Sequence, residues 1–402
     1  MPVDDVSPKQ GPGFRESIAL LALMISFVAL SVDTMLPALP DIRRDLGVGH
    51  PNDVQLVISI LILGLSVGQL AYGPLSDSTG RKPAIFAGIV IFTLGCLLSV
   101  FATRFDVMLL GRFLQGIGAA GPRSVIVALM RDQYTGRAMA RMMSAVMAVF
   151  IIVPAVAPAL GQAILLVANW RVIFVVLMLL GVISLAWFTI RQPETLAREH
   201  RIAFSVRKIM MGTVEVCTNR ITLGYTLAAG FILGAFLGYL NSAQQVFQEV
   251  YALGQQFPIY MAILALFVGV ASYCNSRIVM RVGMRSLSRW AVLLLIMVSI
   301  LYLIVLYFMG GHSPLWMLMV CFAATFFCIG ILFGNLNAIA MEPLGHIAGV
   351  GAAVVGALST LISVPLGIII GRSYNGTTLP LVGGFAILSI LAAFVMRWAD
   401  KK

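Results

Sequence analysis

One carboxylate, Asp33, interrupts the apolar run Ile18–Leu36 (IALLALMISFVALSVDTML), and the proline pair of Leu36-Pro-Ala-Leu-Pro40 follows it. An ionisable group inside a stretch long enough to cross a bilayer is costly, so its default chemistry is to exchange a proton or meet a substrate along a transport path. Arg112, in LLGRFLQGIGAAG (109–121), is a second charge buried by position. If the first span ends near Pro40 and the fourth starts near Asp106, helix rise puts Asp33 about 10 Å and Arg112 about 9 Å below the same surface. Opposite charges at matched depth are expected to partner, and the balance between the arginine's attraction and desolvation decides whether the carboxyl holds a proton. Conformation can switch that balance.

The elements that must position these groups are membrane helices. The 402 residues are 60% hydrophobic and only 11% charged, against roughly 25% charged in soluble domains. Runs of about 20 apolar residues, the length that crosses a bilayer, recur along the chain. They predict twelve spans, near 17–38, 54–75, 83–103, 106–130, 139–168, 171–190, 220–246, 255–276, 286–309, 314–340, 348–372 and 380–398. Strands of ten alternating residues are absent, which excludes a β-barrel. The net charge of +11 does not point to nucleic acid, because the bases sit in short loops between spans. With both termini cytoplasmic, the inside segments carry twenty Lys and Arg and the outside loops five, with Arg112 and Arg123 inside spans; this asymmetry predicts that orientation. The five cysteines form no CxxC and read as small apolar residues. No signal peptide is expected, since residues 1–16 carry Asp4, Asp5 and Glu16.

The polar, basic stretch between Arg191 and Asn219 cannot sit in hydrocarbon. It predicts a domain order of 1–190 as an N-terminal six-helix bundle, 191–219 as a cytoplasmic linker and 220–402 as a C-terminal six-helix bundle. Within the linker, Ile202, Val206, Ile209 and Met210 recur at helical spacing against Arg201, Arg207 and Lys208. That spacing suits a helix lying on the inner leaflet, and equally an ordinary solvated linker. A weak repeat relates the halves. The loop GPLSDSTGRK (73–82) and the loop NSRIVMRVGMR (275–285) both end in glycine and a base two residues on, and Gly80 and Gly283 are 203 residues apart. The second copy has Met280 where Asp77 stands in the first. Two related bundles alternating access around a central cavity are expected.

Four motifs carry the chemistry. The loop Gly73–Pro83 (GPLSDSTGRKP) resembles the signature Gly-x-x-x-Asp-x-x-Gly-Arg-[Arg/Lys] of the major facilitator superfamily, with Ser78 where many relatives carry arginine. That resemblance implies that Gly73, Asp77, Gly80 and Arg81, with Asp132 of MRDQY (130–134) pairing to Arg81, form a conformational latch between the bundles. Arg112 lies in a stretch similar to the same family's R-x-x-Q-G-x-G. The literal GxGxxG of Gly116, Gly118 and Gly121 lies inside a membrane helix, where close helix packing explains it better than a dinucleotide site. The stripes Gly230, Gly234, Gly238 and Gly367, Gly371 share that reading. Span five, IIVPAVAPALGQ (151–162), places Pro154, Pro158 and Gly161 on one face, which implies a bend or a close bundle contact. It resembles the superfamily's antiporter signature, with Gln162 in place of the final glycine, and so favours export. Asp33-Thr-Met-Leu-Pro-Ala-Leu-Pro resembles the D-x-Y-L-P-A-x-P of the bicyclomycin and chloramphenicol resistance (Bcr/CflA) branch, with Met35 replacing tyrosine.

The resemblance implies an all-α integral membrane protein of twelve transmembrane helices. Its expected function is secondary active multidrug efflux, exchanging protons for small lipophilic drugs, in a bacterial inner membrane. Asp33 and Arg112 would couple the proton, and no cofactor, metal, nucleic acid or enzymatic activity is expected. A monomer is expected. The substrate cavity would be lined by Asp33, Met35, Gln115, Phe236, Tyr239, Asn241, Gln244, Asn335 and Asn337. Each polar member also reads as a helix–helix hydrogen bond, and the aromatics as plain packing. A proton-coupled exporter of an amino acid or sugar, or a transport-inactive sensor, would share these features.

Overall fold

The structure, a computed structural model, describes residues 12–401. Among the described residues there is no strand, and the helices are α1 (Phe14–Ile25), α2 (Phe27–Asp33), α3 (Leu39–Asp45), α4 (Leu56–Thr79), α5 (Arg81–Val100), α6 (Phe105–Gln133), α7 (Gly136–Val167) and α8 (Arg171–Arg191) in the first half. A short helix, α9 (Val206–Thr218), precedes α10 (Arg220–Gln244), α11 (Phe257–Val282), α12 (Met284–Phe308), α13 (Leu315–Met341), α14 (Ala348–Arg372) and α15 (Leu379–Asp400). Among the described residues, ten helical stretches are long and apolar enough to cross a membrane. One of them, Leu315–Arg372, is the two helices α13 and α14 joined by a 3-10 turn, and the bent pair Phe14–Ile25 and Phe27–Asp45 supplies the remaining span. The twelve expected spans are therefore present.

Each half packs through its own helices: α4 and α5 against α6 and each other with α8 against α5, and α10 against α13, α14 and α15. The halves meet along two seams, α4 with α14 and α7 with α11. One end of the bundle carries the loops 79–82, 133–136 and 282–285 and the segment 192–219; we call it the basic end, and the other the far end. The repeat is visible in the backbone. Gly80 (φ +112°) separates α4 from α5, and Gly283 (φ +84°) separates α11 from α12. Both conformations lie where a side chain is strained.

Small residues set the helix spacing. A Cβ on Gly64 would run into the Phe113 carbonyl, and one on Gly116 into the Leu61 carbonyl, so α4 and α6 touch backbone to backbone. Gly118 meets Phe92 of α5 in the same way, while Gly230, Gly234 and Gly238 of α10 seat Ile362, Leu366 and Ile370 of α14. The GxGxxG stretch is thus a packing stripe. The linker helix α9 buries Gly212 and Val216 and lies against Val350 of α14. Met210, Met211 and Val214 stay exposed on its other side.

Candidate functional site

Asp33 is the last residue of α2, where the first span stops being α-helical. The Met35 amide bonds to the Val32 carbonyl rather than reaching back four residues, and a 3-10 turn, Leu36–Ala38, follows with Pro37 in it. A proline cannot continue the ladder, so this break follows from the sequence. Asp33 is 6% exposed. The 3-10 turn after it touches α10 of the other half, where the Tyr239 hydroxyl donates to the Met261 sulfur. Across from the turn, α7 passes with Gly161 against the Thr34 carbonyl and the Pro37 ring, and a Cβ there would overlap them. Of the two expectations for span five, the close contact is what the structure shows: α7 remains one helix through Pro154 and Pro158.

Arg112 corrects the expected pairing. Its Nη2 donates to the Ser31 carbonyl (2.7 Å), its Nε to the Val57 carbonyl (2.9 Å) and its Nη1 to Gln115 Oε1 (2.6 Å). Among the described residues no ion pair joins it to Asp33. The reason is local: the 3-10 turn after Asp33 takes the Met35 amide away from Ser31, so a bare carbonyl points at the guanidinium. Gln115 is likewise corrected as a cavity residue. It is fully buried, with its Nε2 donating to Ser99 Oγ (3.0 Å) of α5.

The other cavity candidates separate into groups. Phe236 and Tyr239 stack in an aromatic cluster with Phe322, Phe326 and Phe333. Met35 is fully buried beside the break. Asn335 turns away to pair with Asn275 of α11 (2.8 Å), and Gln244 donates to Gln248 on its own helix (3.0 Å). Asn337 is exposed and donates to the Phe333 carbonyl one turn back.

Asn241 belongs to a polar seam at the far end that ties the halves together. Asn241 Nδ2 donates to Ser59 Oγ (2.9 Å), Gln245 Nε2 to Asn52 Oδ1 (2.7 Å), and Gln55 to Gln245. Asn52 Nδ2 donates to the Tyr374 and Arg372 carbonyls, and Arg372 forms an ion pair with Asp53 (2.8 Å). A π-helical turn, Gln245–Val250, sets Gln245 into this seam. Toward the basic end the α4–α14 seam stays close: a Cβ on Gly356 would come within 2.9 Å of Gln69 Oε1, and one on Gly73 within 3.7 Å of Ala353.

At the basic end Arg81 holds Asp132 through Nε (2.9 Å) and Asp77 through Nη1. The second half builds a comparable tie from Arg285 to Glu342 (2.8 Å) although it lacks the acid of the first loop. The sequence reading missed Glu194. Its carboxylate accepts the backbone amides of Arg81 (2.9 Å) and Lys82 (3.0 Å), capping the start of α5. Thr195 bonds Asp132, and the Ile202 amide bonds the Asp77 carbonyl, so the segment after α8 is laced to this loop. Glu215 of α9 meets His346 between α13 and α14 (2.8 Å).

The sequence pattern that defines the Major Facilitator Superfamily matches residues 21–368. The chain belongs to that superfamily. Relatives span nearly its whole length: an uncharacterized MFS-type transporter, YdgK, of Bacillus subtilis is 31% identical over 94% of this chain and 95% of that protein. A bicyclomycin resistance protein homolog of Haemophilus influenzae is 27% identical over 96% and 97% respectively. The multidrug resistance protein MdtL of Salmonella typhi is 26% identical over 94% of both chains. Among solved structures, the nucleoside transporter NupG superposes with a TM-score of 0.74 at 14% identity over 97% of this chain and 100% of that one. The xylose transporter XylE from E. coli, partially occluded and inward open, gives 0.71 at 12% over 96% and 97%. These likenesses show the fold alone. As a superfamily member the protein is a multi-pass membrane transporter and not an enzyme.

Within the superfamily frame, the far-end seam had a sequence signal. Asn52, Gln55 and Ser59 lie at helical spacing, i, i+3 and i+7, on one face of the second span.

Proposed function

We propose that this transporter is a proton-coupled exporter of small lipophilic compounds, a drug:proton antiporter of a bacterial inner membrane with its basic end cytoplasmic. The observation that carries the reading is the setting of Asp33: a buried carboxylate at a broken helix, beside the interface of the halves, held by no cation among the described residues. Such a group can take and release a proton without first breaking an ion pair. Arg112 shapes the site by fixing the Ser31 carbonyl, and Gly161 lets α7 press on the same turn. The antiporter-like motif of α7 and the names of the relatives support export.

In this cycle the far-end seam of Asn52, Gln55, Asn241 and Gln245 closes the outer side while compound enters from the cytoplasm and Asp33 loses its proton. Opening of the far end lets a proton reach Asp33 and compound leave. The Arg81–Asp77–Asp132 cluster, with Gly73 and Gly80 in the same loop, latches the basic end. A proton gains about 2.3 kcal/mol per 100 mV and about 1.4 kcal/mol per pH unit, enough to sustain a concentration ratio of tens to hundreds. The proton is the coupling ion, no other cofactor takes part, and a monomer suffices.

Efflux from a pump-deficient strain tests the reading, with bicyclomycin first in the panel because of the Haemophilus relative. Asp33→Asn abolishes pH-driven efflux while leaving membrane expression intact. Unchanged efflux refutes the assignment.

A further inference from the structure

Arg123 has no role in the account above, and its surroundings are unusual. It is packed round by protein, as Arg112 is, and yet its side chain is solvent exposed whereas Arg112 is fully buried. The register explains which way it faces. Eleven residues separate the two arginines, three helical turns within about 20°, so Arg123 lies on the interior face of α6. The exposed apolar Leu110 and the half-exposed Leu114 and Ile117 lie on the opposite side. A lipid-facing arginine reaching for headgroups would be on that side, not this one. A side chain exposed on the interior face of a helix bundle faces the space between the helices rather than lipid.

The charges around that space do not balance. Within the membrane-crossing parts of the helices, the ionisable acids and bases are Asp33, Arg112 and Arg123. Arg112 is satisfied by two carbonyls and an amide oxygen, none of which carries a negative charge. Among the described residues no acid lies within ion-pair distance of Arg123. At the basic end Asp77 and Asp132 are engaged by Arg81, and Glu194 by backbone amides. Two cations stand against one acid, so one positive charge is left unbalanced even while Asp33 is ionised. A guanidinium presents a planar fork of donors suited to a carboxylate or phosphonate.

We infer that Arg123 is a specificity-determining residue of the transport path, and that the transported compound carries an anionic group, a carboxylate or phosphonate, on a lipophilic body. This rests on the exporter reading and narrows its substrate class from small lipophilic compounds in general to lipophilic acids. A cation would meet uncompensated like charge on entry.

The test is equilibrium binding to the purified full-length protein of three ligands on one scaffold: naphthalene-2-carboxylate, its methyl ester, and 2-naphthylmethylammonium. The carboxylate binds the wild type at least tenfold more tightly than the ester, and the ammonium binds weakest. Arg123→Gln weakens the carboxylate roughly tenfold to a hundredfold, the range of a charge-assisted hydrogen bond, and leaves the ester within about twofold. Arg123→Lys retains part of the preference. The inference is overturned if the carboxylate does not bind, if ester or ammonium binds as well, or if Arg123→Gln leaves the order unchanged. Circular dichroism and thermal melting confirm that the variants fold. Failure of the exporter reading shows separately, as absence of proton-coupled flux by the wild type in proteoliposomes.

Discussion

Arg112 donates to the carbonyl of Ser31 at 2.7 Å, two residues before Asp33, and forms no ion pair with the carboxylate itself. The arginine therefore braces the backbone of the proton site. Arg112→Lys keeps the charge but cannot span Ser31, Val57 and Gln115 together, and it leaves buried acceptors unmade at about 1–3 kcal/mol each. Transport falls at least tenfold and the melting temperature drops. Normal transport by a folded Arg112→Lys protein would show that the brace is dispensable.

Gly161 is a packing requirement for the same turn. Its Cβ position is occupied by the Thr34 carbonyl, so Gly161→Val forces α7 away from the break after Asp33. Overpacking of this kind costs about 1–3 kcal/mol. Transport by Gly161→Val is lost, while Gly383→Val in α15, with nothing within 4 Å of its Cβ and no positive φ, serves as a check on expression. Equal transport by Gly161→Val and wild type contradicts the packing argument.

At the far end, Gln245→Leu strips the partner from Asn52 and Gln55 and leaves buried polar groups unsatisfied only while that end is closed. The closed form then loses about 1–3 kcal/mol, and the open form gains about fivefold to a hundredfold in population. Spin labels on the exposed Arg44 and Asn375 report it as a shift toward longer distances. An unchanged distance distribution would mean that the seam does not set the equilibrium.

Glu194→Gln weakens two charge-assisted amide bonds at the start of α5. A lost cap is worth about 1 kcal/mol, so the protein still folds, but the segment following α8 loosens. Hydrogen exchange at Arg81 and Lys82 rises; unchanged protection would show that Glu194 does not cap the helix in solution.

Much of this was legible in the sequence for a physical reason. Apolar runs fix which segments cross the bilayer, and the prolines at 37 and 40 mark the break that leaves Asp33 at a helix end. The glycine stripes of α6 and α10 declared close packing because nothing larger fits. The partner of Arg112 was not legible, since a backbone carbonyl released by a 3-10 turn leaves no residue-type signal, and equal depth of two charges says nothing about azimuth. Asn335 and Gln244 were placed by polarity, but their partners Asn275 and Gln248 are decided by helix rotation and local neighbours. Glu194 reaches Arg81 across 113 residues of chain, a contact fixed by how the segment after α8 folds back rather than by any local pattern. The far-end seam showed its spacing in the second span but not its partners, because docking of the two halves sets that register.

The measurement that bears most directly on the account is proton release on substrate binding. Purified protein in weakly buffered solution is mixed with a compound from the transported panel while an indicator dye reads free protons. Wild type releases about one proton per bound molecule over a defined pH range, and Asp33→Asn binds the compound without releasing any. Equal release by both proteins would place the proton elsewhere and contradict the central claim.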